Sequence, residues 1–122
     1  MLKFVSEYII HSEIIKRRNF PWADKAESYI GTNIGRKISI ASLAKQTGYS
    51  ASFIHHRFKE DFGMPPAKYI LGRRMNLAKQ KLLEGKSVGE TASELGFYDQ
   101  FHFSKVFRKY FGCPPSIVRL KV

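Results

Sequence analysis

Apolar residues recur at three- and four-residue spacing through most of this chain, and no sustained period-two alternation between turn signals competes with them. The pattern predicts an all-α protein. Leu2, Val5, Tyr8 and Ile9 mark a helix over 2–18, basic at its end in Lys16-Arg17-Arg18 and broken by Asn19-Phe20-Pro21. A second helix, about Trp22 to Asn33, carries Ala26, Tyr29 and Ile30 on one side. Ser39 caps the helix holding Leu43 and Ala44, and Ser50 caps one striped by Ile54 and Phe58. Pro65-Pro66 opens a long helix to about Leu83, with Tyr69, Ile70, Leu77, Ala78 and Leu82 on its apolar side, because proline is tolerated in a first turn. Ser87 and then Asp99 cap two more helices, the second striped by Phe103, Phe107 and Tyr110. A last short helix follows Pro114-Pro115 through about Leu120.

Part of this pattern is written twice. Phe62-Gly63-Met64-Pro65-Pro66 returns as Phe111-Gly112-Cys113-Pro114-Pro115, and Ala44, Gly48-Tyr49 and Phe58-Lys59 are echoed by Ala92, Gly96-Phe97 and Phe107-Arg108. Each copy is a short helix, a glycine turn and a second helix, which is the outline of a helix-turn-helix. The alanine four residues before the glycine admits a close helix crossing, and the glycine supplies the positive φ of an abrupt turn. The apolar stripes are predicted core. Opposite them lie Ser52, His55, His56 and Lys59 in copy one. In copy two, after a one-residue insertion, the matching positions are Phe101, Ser104, Lys105 and Arg108.

Charge tells what such faces would meet. The 122 residues carry 21 Lys and Arg against 10 Asp and Glu, a formal charge of +11. A field of that sign attracts a polyanion and gains affinity by counterion release, so nucleic acid is the expected partner. The length allows one compact domain or two small lobes sharing a connecting helix. One Cys makes no internal disulfide, Glu7 and Glu13 interrupt any leader-like apolar run, and no stretch is long enough to span a bilayer, which together predict a cytoplasmic protein. No paired carboxylates, phosphate-binding glycine loop or activated nucleophile has the spacing of an enzyme, and no cofactor or metal is implied. His55 and His56 are helix neighbours that point different ways, with no Cys or carboxylate cluster at ligand spacing. Cys113 takes the place of Met64, so it reads as packing. His102 aligns with Phe53 on the flank of the stripe, which predicts a partly buried structural role. Phe101 takes the place of Ser52, which favours exposure and apolar contact with a thymine methyl.

The run Gly96-Phe97-Tyr98-Asp99-Gln100-Phe101-His102-Phe103-Ser104-Lys105-Val106-Phe107-Arg108-Lys109-Tyr110-Phe111-Gly112-Cys113-Pro114-Pro115, and more loosely 48–59, resembles the DNA-binding domain of AraC/XylS-family bacterial transcription regulators. The resemblance covers about 22–122. It implies two homeodomain-like three-helix lobes, with helix-turn-helix motifs at about 38–62 and 87–111 and a linker helix at about 66–83. It further implies two recognition helices in successive major grooves. Base-reading positions carry over to Ser52, His55 and His56 in the first lobe and to Gln100, Phe101, Ser104 and Lys105 in the second. Lys59 and Arg108, further along, are expected at phosphates. The chain departs from the family pattern at His55-His56, Phe101 and Val118, which touches the target sequence and not the fold. Residues 1–21 are expected to be the tail of a separate sensor domain, through which any dimerisation would run, the alternative being a complete small regulator of the stand-alone kind. The DNA-binding part itself is expected to be monomeric.

A linker of roughly 18 residues at about 1.5 Å each makes about 27 Å of rod, against about 34 Å between major grooves on one face, so one chain can address an asymmetric site. The expected function is sequence-specific transcription regulation, with double-stranded DNA as partner and RNA polymerase as a second candidate. A recombinase-like targeting module or a nucleoid-type architectural protein of low sequence specificity is the alternative.

Overall fold

The computed structural model describes residues 21–120; the helix expected over 2–18 lies outside them. Seven α-helices and no strand are found among the described residues: α1 Pro21–Thr32, α2 Ile40–Thr47, α3 Ala51–Arg57, α4 Pro66–Leu83, α5 Val88–Glu94, α6 Gln100–Phe111 and α7 Pro115–Leu120. The expected caps are in place. Ser39 Oγ accepts from the Ser42 N–H at 3.0 Å, and Ser42 Oγ accepts in turn from the Ser39 N–H at 3.1 Å. Ser50, Ser87 and Asp99 accept from the N–H groups of Phe53, Glu90 and His102. Each satisfies a donor that the first helical turn would otherwise leave without a partner. Proline starts α1, α4 and α7, and Pro66 and Pro115, equivalent in the repeat, are fully buried, so one residue both opens a helix and fills core.

The chain forms two compact units, 21–32 with 38–69 and 33–37 with 70–120. Helix α4 starts in the first and continues into the second. In the first unit the core is aromatic. Trp22 sits 5.2 Å from Phe58 and 5.7 Å from Phe62, both edge-on, and Phe62 lies 4.7 Å from Tyr69. Their polar ends are satisfied, since Trp22 Nε1 donates to Asp61 at 3.1 Å and the Tyr69 hydroxyl donates to Glu27 at 2.7 Å. Helix α3 runs on into a π-helical turn, Phe58–Phe62, which the even spacing of its apolar residues did not predict. That turn places Phe58 and Phe62 both in the core, their rings 4.9 Å apart.

In the second unit Met75, Ala78, Leu82, Ala92, Leu95, Phe103, Phe107 and Val118 form the core, with Cys113 packed against it as its Met64 equivalence suggested. Tyr110, expected in this stripe, is instead 41% exposed, and Phe111 packs inward. Residues 103, 107 and 111 keep a strict four-residue step, so the stripe drifts around the helix and leaves position 110 at its edge. His102 is exposed and not partly buried, though its ring still lies 5.5 Å from Phe97.

The two glycine turns share a left-handed φ but close their helices with different hydrogen bonds. Gly48 has φ 80° and donates to the Ala44 carbonyl at 2.9 Å; Gly96 has φ 76°. At Gly96 the helix ends with paired bonds from Phe97 N–H to Ala92 and from Gly96 N–H to Ser93. Around Gly96 the segment 33–37 passes so closely that an added Cβ would lie 2.2 Å from the Gly35 carbonyl oxygen. Arg74 holds that segment, with Nε donating to the Ile34 carbonyl at 3.1 Å and Nη2 to the Arg36 carbonyl.

Candidate nucleic-acid interface

Burial decides which sides of α3 and α6 face solvent. Ile54 and Phe58 on one helix, and Phe103 and Phe107 on the other, are fully buried. The positions between them therefore point outward. Ser52, His55, His56 and Lys59 are all exposed on the first unit, and Gln100, Phe101, Lys105 and Arg108 on the second, with Ser104 half-buried.

Each outward face borders a groove against the proline pair that follows its helix. In the first unit Ser52, His55, His56, Lys59 and Pro65 line about 450 Å³. In the second, Ser104, Lys105, Arg108, Lys109 and Pro114 line about 600 Å³. Four of the five second-unit residues are repeat equivalents of first-unit ones: His55 with Ser104, His56 with Lys105, Lys59 with Arg108 and Pro65 with Pro114. A smaller cleft of about 220 Å³ brings Gln100, Phe101 and Ser104 together with Val88 and Pro114 to Ser116. All nine residues singled out from sequence thus lie on one of two faces.

Charge differs between the faces through a residue that the sequence pattern did not single out. Lys109 joins Lys105 and Arg108 on the second groove, whereas its equivalent in copy one is Glu60. Glu60 accepts from His56 Nε2 at 2.9 Å and pairs with Arg57 at 3.2 Å, while Arg57 also reaches Asp61 at 3.0 Å. The spacing i, i+4 and i, i+3 was the available signal. The second face carries more positive charge, and the first mixes signs.

Several cations are committed elsewhere. Arg74 is tied to backbone carbonyls, and desolvation holds its guanidinium below the usual range. Lys81 and Lys86 reach Glu94 at 3.2 and 2.6 Å. The hydrogen bond from Lys86, then that from Lys81, depresses the Glu94 carboxyl, and the same Glu94 bond raises Lys86. Lys79 lies over the Phe111 ring at 5.7 Å. Among the described residues no group of three or more His, Cys, Asp or Glu is placed to hold a metal, and no helix is long and apolar enough to cross a membrane.

A helix-turn-helix domain family matches residues 43–121. An uncharacterized HTH-type transcriptional regulator of Escherichia coli K12, YidL, is 35% identical over 96 residues, covering 78% of this chain and 32% of that protein. The chain spans about a third of the length of such curated relatives. Among solved structures, a regulator with an AraC-type DNA-binding domain from Chromobacterium violaceum superposes with a TM-score of 0.76 at 31% identity, over 83% of this chain and 91% of that one. The DNA-binding domain of AdpA, solved in complex with a target DNA, superposes with a TM-score of 0.71 at 25% identity, over 83% and 91%. A doubled helix-turn-helix with two solvent-facing helix sides, the second of them basic, a family match across most of the chain and this backbone agreement lead to one conclusion: the chain belongs to the AraC-type family of helix-turn-helix DNA-binding regulators.

Proposed function

We propose that this chain is the DNA-binding part of a transcription regulator and that it recognises one specific duplex through two major-groove segments, one per recognition helix. A single observation carries the reading. Two faces occupy equivalent positions in the repeat, both turned to solvent, yet their side chains differ, as two different half-sites require. Ser52, His55 and His56 on α3, and Gln100, Phe101, Ser104 and Lys105 on α6, are proposed to contact bases. Lys59 and Arg108, a turn further on in their own helices, and Lys109 next to Arg108 are proposed to contact phosphates.

Two linked modules raise each other's effective concentration, so the proposed binding unit is a monomer on an asymmetric site. The proposed partners are double-stranded DNA and, at a promoter, RNA polymerase; the proposed location is the cytoplasm, and the proposed role is non-enzymatic. Selection from a random duplex pool followed by footprinting tests the reading. The expected result is one enriched sequence with two protected major-groove patches about 10 base pairs apart. Recovery of no preferred sequence despite tight binding would favour a low-specificity architectural role instead.

A further inference from the structure

The two reading faces match in position but not in chemistry, and one of the differences lies at the start of α6. The extra residue of copy two is Tyr98: Gly48-Tyr49 leads directly to the cap Ser50, whereas Gly96-Phe97 is followed by Tyr98 before the cap Asp99. Its ring is 95% exposed. Two residues beyond the cap, Phe101 stands where copy one has Ser52, and it is 76% exposed. A large apolar ring held in water at the start of a recognition helix gains free energy only when something apolar covers it.

The surroundings of Phe101 narrow what that is. It borders the 220 Å³ cleft, whose other walls are Val88 and the Pro114-Pro115 pair, with Gln100 and Ser104 on its polar edge. In copy one Ala51 replaces Gln100, Ser52 replaces Phe101 and His55 replaces Ser104, so a similar ring-and-amide arrangement is not repeated there. In the major groove only thymine presents an apolar group, its 5-methyl, and beside that methyl lies the O4 acceptor. An apolar ring with amide and hydroxyl donors next to it has the matching arrangement.

Resting on the proposal that α6 enters a major groove, we infer that the second unit reads a thymine through this cleft. The 5-methyl packs against Phe101, Val88 and Pro114, and O4 accepts from the Gln100 amide or the Ser104 hydroxyl. The first unit, with His55 and His56 in its groove, reads its half-site by hydrogen bonds.

The test uses the full chain and a duplex enriched from a random pool, with every thymine of the second-unit half-site replaced in turn. Deoxyuridine removes the methyl and keeps O4; 5-methylcytosine opposite guanine keeps the methyl and replaces O4 by an amino donor. One deoxyuridine position is expected to weaken binding about fourfold, which is about 0.8 kcal/mol for one methyl-sized apolar group. Phe101→Ala is expected to bind the thymine and uracil duplexes alike, with an unchanged circular dichroism spectrum because the ring is exposed. Tyr98→Ala is expected to keep the discrimination. Equal binding of all uracil duplexes, a half-site without thymine, or methyl sensitivity that survives Phe101→Ala or vanishes in Tyr98→Ala would each overturn the assignment. Equal binding of thymine and 5-methylcytosine duplexes would overturn its O4 part. Failure to enrich any sequence would instead refute the DNA-reading proposal beneath it.

Discussion

Replacing Gly96 by alanine, with Gly48→Ala as its repeat-matched control, separates what a turn needs locally from what the second unit imposes on it. The two glycines have nearly the same φ, 76° and 80°, but an added Cβ meets nothing within 4 Å at Gly48 and the Gly35 carbonyl oxygen at 2.2 Å at Gly96. Forcing an L-residue into the left-handed region costs roughly 1–2 kcal/mol at either site. At Gly96 the contact also falls more than about 1 Å inside ordinary van der Waals separation of roughly 3.5 Å, so segment 33–37 must move. Moving it loosens the bonds from Arg74 to the Ile34 and Arg36 carbonyls, and a hydrogen bond to a charged group contributes about 1.5–3 kcal/mol. The expected losses are about 1–2 kcal/mol for Gly48→Ala and about 3–5 kcal/mol for Gly96→Ala. Gly35→Ala provides the complement, because its Cβ would lie 2.5 Å from the Glu94 carbonyl oxygen while its own φ lies outside the left-handed range. Its loss should fall between the other two. Urea unfolding followed by far-UV ellipticity reports both units, and fluorescence of the single Trp22 reports the first, so each loss can be assigned to the unit that carries it. Gly96→Ala and Gly48→Ala agreeing within about 0.5 kcal/mol would show that the close approach contributes nothing beyond the backbone conformation.

Lys105→Ala should relax base preference in the second half-site and cost about 1–3 kcal/mol, whereas Lys59→Ala and Arg108→Ala should weaken all duplexes alike and flatten the salt slope by about one unit each; titrations of selected and scrambled duplexes over a salt series separate the two. Met75→Ala, at a fully buried position of the second core, should cost about 2–5 kcal/mol in urea unfolding. Glu94→Gln should lower the melting temperature near neutral pH but not in strong acid. The Glu94 carboxyl is depressed from its ordinary 4.5, so its contribution is present above that value and lost as pH falls through the folded pKa. Lys86 is raised from its ordinary 10.5, so its contribution is present below that value and lost as pH rises through the folded pKa. The gap between wild type and Glu94→Gln should therefore close at both ends of a melting series, and a gap that persists in strong acid would show that the ion pairs are not its source.

The sequence by itself determined the helical class, the doubled unit, the four side-chain caps and the proline starts, because those features rest on contacts within a few residues of one another. Ser39, Ser50, Ser87 and Asp99 each cap the helix that immediately follows, and a stripe of apolar positions identifies the face a helix buries whatever covers it. For the same reason eight of the nine candidate positions were legible as the complement of two core stripes, Gln100 coming only from the family resemblance. Tertiary structure decided what periodicity leaves open. It turned Phe111 inward and left Tyr110 exposed, placed a π-helical turn in one copy and a regular helix in the other, and brought Met75, which the spacing had not singled out, into the core against which Leu77 packs. It also sorted the basic residues of α4, giving Arg74 to the backbone of 33–37 and Lys81 to Glu94, partners 38 to 40 residues away for Arg74. A cation in a sequence shows its charge but not the carbonyl it will meet. Such a partner is chosen by chain segments that only folding brings together.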